Sequence, residues 1–231
     1  MHEYVPTSPS VADSNQLIYA ALESRAARKE TARSMELVLV RHATSTRSRV
    51  GIWGRLYDAP LVEGFEDQLA ETRAELESLE EPKVYSSPLS RCLETAAFIF
   101  PRKSIQIVEE FRAYHSGFFE DKTEDFIREH NSEYMSLSYR DRFLRPHFDE
   151  ESMAAQVSRV KIGILEVLGE GAPTSVIVAH YSTINIVAHI SSLNWEIDTY
   201  ADGTYDVVEG AFIRKTVDPA AVVAGISDRI A

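Results

Sequence analysis

Three short apolar runs each break off abruptly into polar residues, and each is followed by a stretch of helical spacing. Leu37–Val40 breaks into Arg41 and His42, Val84–Tyr85 into Ser86 and Ser87, and Val176–Ala179 into His180 and Tyr181. An unalternating apolar run is a strand covered on both faces, and covered strands joined through helices run parallel. Ile105–Val108 adds another strand. Helices are predicted over Asp67–Leu79 and from Ser90 to about Phe100, the latter capped by Ser90 with Glu94 near the capping-box position. Met153, Val157, Val160, Ile164 and Val167 follow a 4-3-4-3 spacing, and Gly169 and Gly171 end that helix. Ile184–Leu193 reads as a helix and Tyr205–Val217, interrupted by Gly210, as a closing β-hairpin. The fold class is therefore α/β: a three-layer α/β/α sandwich with a mainly parallel sheet and helices on both faces.

Two regions stand outside this alternation. Residues 1–34 form an N-terminal arm, with a helix over Ser14–Arg33 that carries Leu17, Ile18, Ala21 and Leu22 on one side. The arm can dock on its own domain, the more ordinary fate of an amphipathic stripe, or on a second subunit in a homodimer. Residues 35–231 read as the α/β domain itself. Within it, Gly117 to about Phe148 is the least regular stretch, charged, aromatic and rich in arginine (Arg140, Arg142, Arg145).

At 231 residues, one domain of this kind needs neither a disulfide nor a metal to fold. The single cysteine, Cys92, lies among apolar helix residues and reads as a plain buried thiol in a reducing compartment. A net charge of −12 argues against a nucleic-acid surface. No apolar run approaches a membrane span, and Met1–Ser10 lacks the basic start and apolar run of a secretory signal. The expected location is cytoplasmic.

Ligands of open α/β sheets bind outside the carboxyl ends of the strands. There the fold would gather Arg41 and His42, Ser86, Ser87 and Arg91, and His180 with Tyr181. Two histidines and two arginines converging make a cationic cradle for a phosphoryl group, whose oxygens guanidinium forks bind bidentately. Each of these residues taken alone is more simply a satisfied polar group. Together they match one reaction.

The same residues carry a family resemblance. Leu37-Val-Leu-Val-Arg41-His42-Ala-Thr-Ser resembles the Arg-His-Gly signature of the histidine phosphatase superfamily, the clan of the cofactor-dependent phosphoglycerate mutases. Asp58-Ala-Pro60-Leu61 with Gly64 and Gln68, Tyr85-Ser-Ser-Pro-Leu-Ser-Arg91-Cys-Leu-Glu-Thr95-Ala, Glu151-Ser152 with Arg159-Val160, and Val178-Ala-His180 resemble its further motifs in order. The resemblance runs from about residue 36 to 217. It implies that His42 attacks phosphorus as a neutral imidazole, that Arg41 and Arg91 bind the equatorial oxygens, and that His180 donates to a phosphoryl oxygen as a further positive group. It implies no metal and no other cofactor, and a small phosphorylated molecule as substrate. Thr44, Ser45, Arg47 and Tyr181 become candidate substrate contacts. Trp53, Tyr57, Tyr114, Phe118, Phe119 and Tyr139 could line a pocket, though ordinary core and surface roles explain them equally well.

Two positions depart from the pattern. Ala43 replaces the signature glycine; it is small, but it does not readily hold a positive φ. Ala113 occupies the position where the family carries a glutamate as general acid, within Phe111-Arg-Ala-Tyr-His-Ser-Gly117. Three readings stay open. Glu110, His115 or Glu120 supplies the proton; or the substrate, an acyl or enol phosphate, has a leaving group that needs little help; or the cradle serves a repurposed reaction or binds an anion without turnover.

Overall fold

The computed structural model describes residues 34–52, 57–137, 141, 149–191 and 205–227. Five strands form one sheet: β1 (Met35–Arg41), β2 (Lys83–Ser86), β3 (Ile105–Ile107), β4 (Thr174–Ala179) and β5 (Phe212–Val217). Their order is β3-β2-β4-β1-β5, parallel except for β5, which runs antiparallel to β1. The described helices are α1 (Phe65–Leu76), α2 (Ser90–Ile99), α3 (Glu124–His130), α4 (Ser132–Ser136), α5 (Met153–Gly169), α6 (Tyr181–Ser191) and α7 (Pro219–Ser227). None is long and apolar enough to cross a membrane.

Strand side chains alternate between faces, and each face of β1 and β4 meets its own helices. Leu37, Leu39, Ile177 and Ala179 pack with Val157, Val160 and Ile164 of α5, with Ile184 and Val187 of α6, and with Val222 and Ile226 of α7. Val38, Val40, Val176 and Val178 pack with Leu69 and Leu76 of α1 and with Cys92, Ala96 and Ile99 of α2. Because both faces are covered, the strands read as unbroken apolar runs. The parallel register sets Arg41 opposite Ala179 and Ser86 opposite Val178, so three strands end together at one edge.

The structure corrects three expectations. Tyr205–Val217 is not a hairpin: β5 alone pairs, and it pairs with β1. Gly210 turns the chain at φ +83°, and its N–H reaches the carbonyls of Arg41 and His42 instead of a strand partner. Ser90 does not cap α2. Asp58 does so from the loop between β1 and α1, accepting from Ser90 N at 2.6 Å and Ser90 Oγ at 2.7 Å, while Glu94 turns away to accept from Leu61 N. A carboxylate there also faces the positive end of the helix. Finally, the stretch expected to be irregular carries α3 and α4, capped by Thr123 and Asn131 and packed through Phe119, Ile127 and Tyr134. The arm helix, Trp53, Tyr139, Arg140, Arg142 and Arg145 lie outside the described residues.

Helix α5 bears on a 3₁₀ turn, Glu109–Phe111, that leads into Ala113. The contact passes over Gly163, where a Cβ would lie 2.7 Å from the Phe111 ring and 3.0 Å from Val108 Cγ1. Alanine would gain about 1 kcal/mol of helix propensity, against about 1–3 kcal/mol for overpacking a close-packed core. Gly163→Ala should therefore destabilise the protein by about 1 kcal/mol in urea denaturation. An increase in stability would show that Phe111 yields freely.

Candidate active site

His42 leaves the end of β1 on a backbone held from three sides. Its N–H donates to Ala179 O of β4, Arg41 N to Ala211 O, and Ala43 N to Thr95 Oγ1 of α2. Ala43 is fully buried and does not take a positive φ, so at this position the loop demands a small side chain and not a left-handed backbone. Its carbonyl lies 2.7 Å from His42 Nδ1. A carbonyl only accepts, so Nδ1 carries the proton and Nε2 keeps its lone pair. Burial holds the His42 pKa down at about 3, helped by the Arg91 and Arg41 charges and opposed by the bond to Ala43.

His180 follows β4, with its ring centroid 5.2 Å from that of His42 in an edge-on arrangement. Arg91 Nη2 lies 3.4 Å from His180 Nδ1, and Ser87 Oγ lies 2.8 Å from Nε2. Guanidinium only donates, so Nδ1 accepts and Nε2–H donates to the Ser87 hydroxyl. Burial, then Arg91 and His42, hold His180 well below the usual imidazole range. In the free cavity His180 is thus neutral, whereas the resemblance implies a positive group. Cys92, 3.6 Å from His180 Nε2, is a fully buried thiol whose pKa burial pushes up to about 12.

Arg91 emerges from α2 almost fully buried and also donates to Tyr57 O at 3.1 Å. Arg41 donates to Val207 O at 2.9 Å and lies over the Tyr181 ring. Arg47 stacks on Tyr57 and is ion-paired with Asp121. All three arginines, with His42, His180, Ser45, Tyr181, Tyr114 and Ala113, line one cavity of about 460 Å³. Thr44 stands beside it, its hydroxyl donating to Glu209.

The wall that carries Ala113 is fixed from behind by buried charges. Arg159 binds Glu151 through Nε at 2.6 Å and Nη2 at 2.8 Å, and donates to the carbonyls of Glu110, Arg112 and Ala113. Burial would raise the Glu151 pKa, but the bonds and charge of Arg159, the Arg112 charge and the His115 N–H together hold it low. Ala113 thus lines the cavity from a segment held by buried charges, and its methyl offers no proton.

None of the three predicted acids lines the cavity. Glu110 lies against Gly163 of α5, His115 Nδ1 accepts from Gly117 N, and Glu120 accepts from Ser116 N. Two carboxylates that the sequence reading did not single out do line it, Glu209 and Glu124. Glu209 was hidden by the hairpin expectation. Since β5 is antiparallel, the residues just before it lie at the edge where the parallel strands end. Of the aromatic candidates described, Tyr114 reaches the cavity, Phe119 is core, and Phe118 and Tyr57 are exposed.

The model of the histidine phosphatase superfamily (branch 1) matches residues 37–204. The chain belongs to this superfamily. Among solved structures it is similar to a mycobacterial glucosyl-3-phosphoglycerate phosphatase, at 18% identity and a TM-score of 0.69 over 80% of this chain and 91% of that one. The alpha-ribazole phosphatase of Shigella flexneri shares 18% identity with a TM-score of 0.67, covering 78% and 89%. A phosphoglycerate mutase from Bacillus anthracis str. Sterne shares 16%, with a TM-score of 0.65 over 84% and 97%. At these identities the likeness is one of fold. No curated protein matches the sequence significantly.

The neutral histidines of this superfamily member make its stability depend on pH. A group whose folded pKa lies below its unfolded value binds fewer protons when native, so its contribution is complete above about pH 6.5 and is lost as pH falls toward the folded value. His42→Asn removes that dependence. Wild type should lose about 2 kcal/mol more than the variant between pH 7 and 4.5, measured by urea denaturation. Parallel losses would mean that His42 titrates normally.

Proposed function

We propose that the protein is a phosphatase that hydrolyses a small phosphorylated molecule through a phosphohistidine at His42, without a metal or other cofactor. The observation that carries this reading is the His42 tautomer: Nδ1–H on the Ala43 carbonyl leaves Nε2 as an unprotonated nucleophile beside two guanidinium groups. Nε2 attacks phosphorus and the bond to the leaving oxygen breaks. Arg41 and Arg91 bind the oxygens across which the charge spreads, without reorganising at the moment of reaction. Water then attacks the phosphohistidine, and the N–P electron pair returns to Nε2.

His180 gains its charge only with the anion. A phosphoryl dianion that draws Arg91 Nη2 away from Nδ1 frees that nitrogen and favours its protonation, while Ser87 already holds Nε2–H. His180 then donates to a phosphoryl oxygen. Ser45, Arg47 and Tyr181 line the outer part of the cavity as substrate contacts, and Thr44 holds Glu209 in the wall beside them. The family relation and the phosphatases among similar folds support the reaction class.

Wild type mixed with an activated aryl phosphate and quenched in alkali should yield a phosphohistidine on the peptide containing residue 42, and His42→Ala should lose both the adduct and at least 10³-fold of the turnover. Vanadate at 100 times its Kd should add about 2.7 kcal/mol of apparent stability. Vanadate binding without any turnover would reduce the site to an anion pocket. The dependence of kcat/KM on pH, corrected for the second ionisation of the substrate near pH 6, should show no acid limb from His42 between pH 5 and 7.

A further inference from the structure

If the site is a phosphatase, as proposed above, an alkoxide leaving group still needs a proton, and Ala113 has none. We propose that Glu209 supplies it from the loop before β5, which lines the same cavity, in place of the acid missing at position 113. Of the two carboxylates that line the cavity among the described residues, Glu124 has a side chain 52% exposed and is bound by Arg128 at 2.6 Å on the outside of α3. Glu209 is only 19% exposed. It rides on a loop stapled to the nucleophile's own backbone: Gly210 N–H bonds the carbonyls of Arg41 and His42, and Gln68 Nε2 donates to Glu209 O at 2.8 Å. Glu209 Oε2 accepts from Thr44 Oγ1 at 2.7 Å, which aims the carboxylate. The other oxygen, Oε1, stands 3.6 Å from Arg41 Nη2, close enough to feel its charge but too far for a hydrogen bond.

That position makes Glu209 a rival of the substrate. Both the carboxylate and a phosphoryl dianion need Arg41, and Arg91, the other guanidinium lining the cavity, also feels the Glu209 charge. Once phosphoryl oxygens occupy Arg41, Glu209 stands beside like charge, which favours the form that carries a proton. As the His42 Nε2–P bond forms and the P–O bond breaks, that proton passes from the carboxyl to the leaving oxygen, and a neutral alcohol departs. The resulting carboxylate takes a proton from the water that attacks phosphohistidine. Phosphate leaves, His42 is regenerated, and Glu209 again carries its proton until phosphate vacates Arg41.

The test is Glu209→Gln, which keeps an acceptor for Thr44 but cannot carry the proton. Wild type should hydrolyse an alkyl phosphate within about 100-fold of an aryl phosphate, whose leaving group needs no acid. In Glu209→Gln the ratio of alkyl to aryl kcat/KM should fall by a further 10²-fold or more. Calorimetric titration with inorganic phosphate, in buffers of different ionisation enthalpy, should show less proton uptake by the variant than by wild type. Equal losses on both substrates, or tighter phosphate binding with unchanged proton uptake, would overturn the assignment and leave Glu209 as a structural or purely electrostatic residue. Should the variant fail to fold, a wild-type preference for aryl over alkyl phosphates well beyond 100-fold would overturn it alone. Absence of aryl phosphate turnover in wild type would instead remove the phosphatase reading on which this proposal rests.

Discussion

Two imidazoles are buried beside guanidinium groups where three parallel strands end, and this arrangement imposes a single electrostatic condition on the site. Desolvation and neighbouring positive charge both oppose protonation, so His42 and His180 are neutral in the free protein. Neutrality is what a nitrogen nucleophile requires, and the Ala43 carbonyl then chooses which nitrogen stays free. The same cations that keep His42 neutral are placed to receive the negative charge of a phosphoryl group. On the proposed reading, activation of the nucleophile and binding of its target come from one set of charges.

The cavity walls divide the remaining work. One is rigid: Arg159 joins Glu151 to three successive parts of the segment that carries Ala113, and a buried pair of this kind costs several kcal/mol to break from one side. That segment brings Ala113 to the cavity with no acid on it. A second wall is the loop before β5, which brings Glu209 to the cavity and ties it to the backbone of Arg41 and His42 through Gly210. An antiparallel strand on the edge of a parallel sheet makes this geometry available, because such a strand begins where its neighbours end.

Much of this was legible in the sequence because local and global signals agree. Leu37–Val40 and Val176–Ala179 read as covered strands, and they are covered on both faces. Met153 to Val167 read as one stripe, and that stripe is core. The strand-end rule then brought Arg41, His42, Arg91 and His180 together before any geometry was known. What escaped depends on contacts distant in sequence. Ser90 looks like a helix cap until Asp58, thirty-two residues earlier, takes that role. Tyr205–Val217 looks like a hairpin until β5 pairs with β1, whose sequence offers no hint of that partner. Glu209 carried no motif, and its importance rests entirely on where that pairing puts it. Charge was also beyond reach: neutrality at His180 follows from burial beside Arg91, not from residue type.

The account rests most heavily on the protonation state of His42. Long-range ¹H–¹⁵N NMR of protein labelled at its histidine rings, assigned with His42→Asn and followed from pH 8 to 5, reads it directly. The prediction is a neutral ring throughout, with the proton on Nδ1 and an unprotonated Nε2, joined by a neutral His180. A His42 ring that titrates near pH 6.5, or that carries its proton on Nε2, would contradict it, because the free site would then hold no nucleophile in the form the chemistry requires.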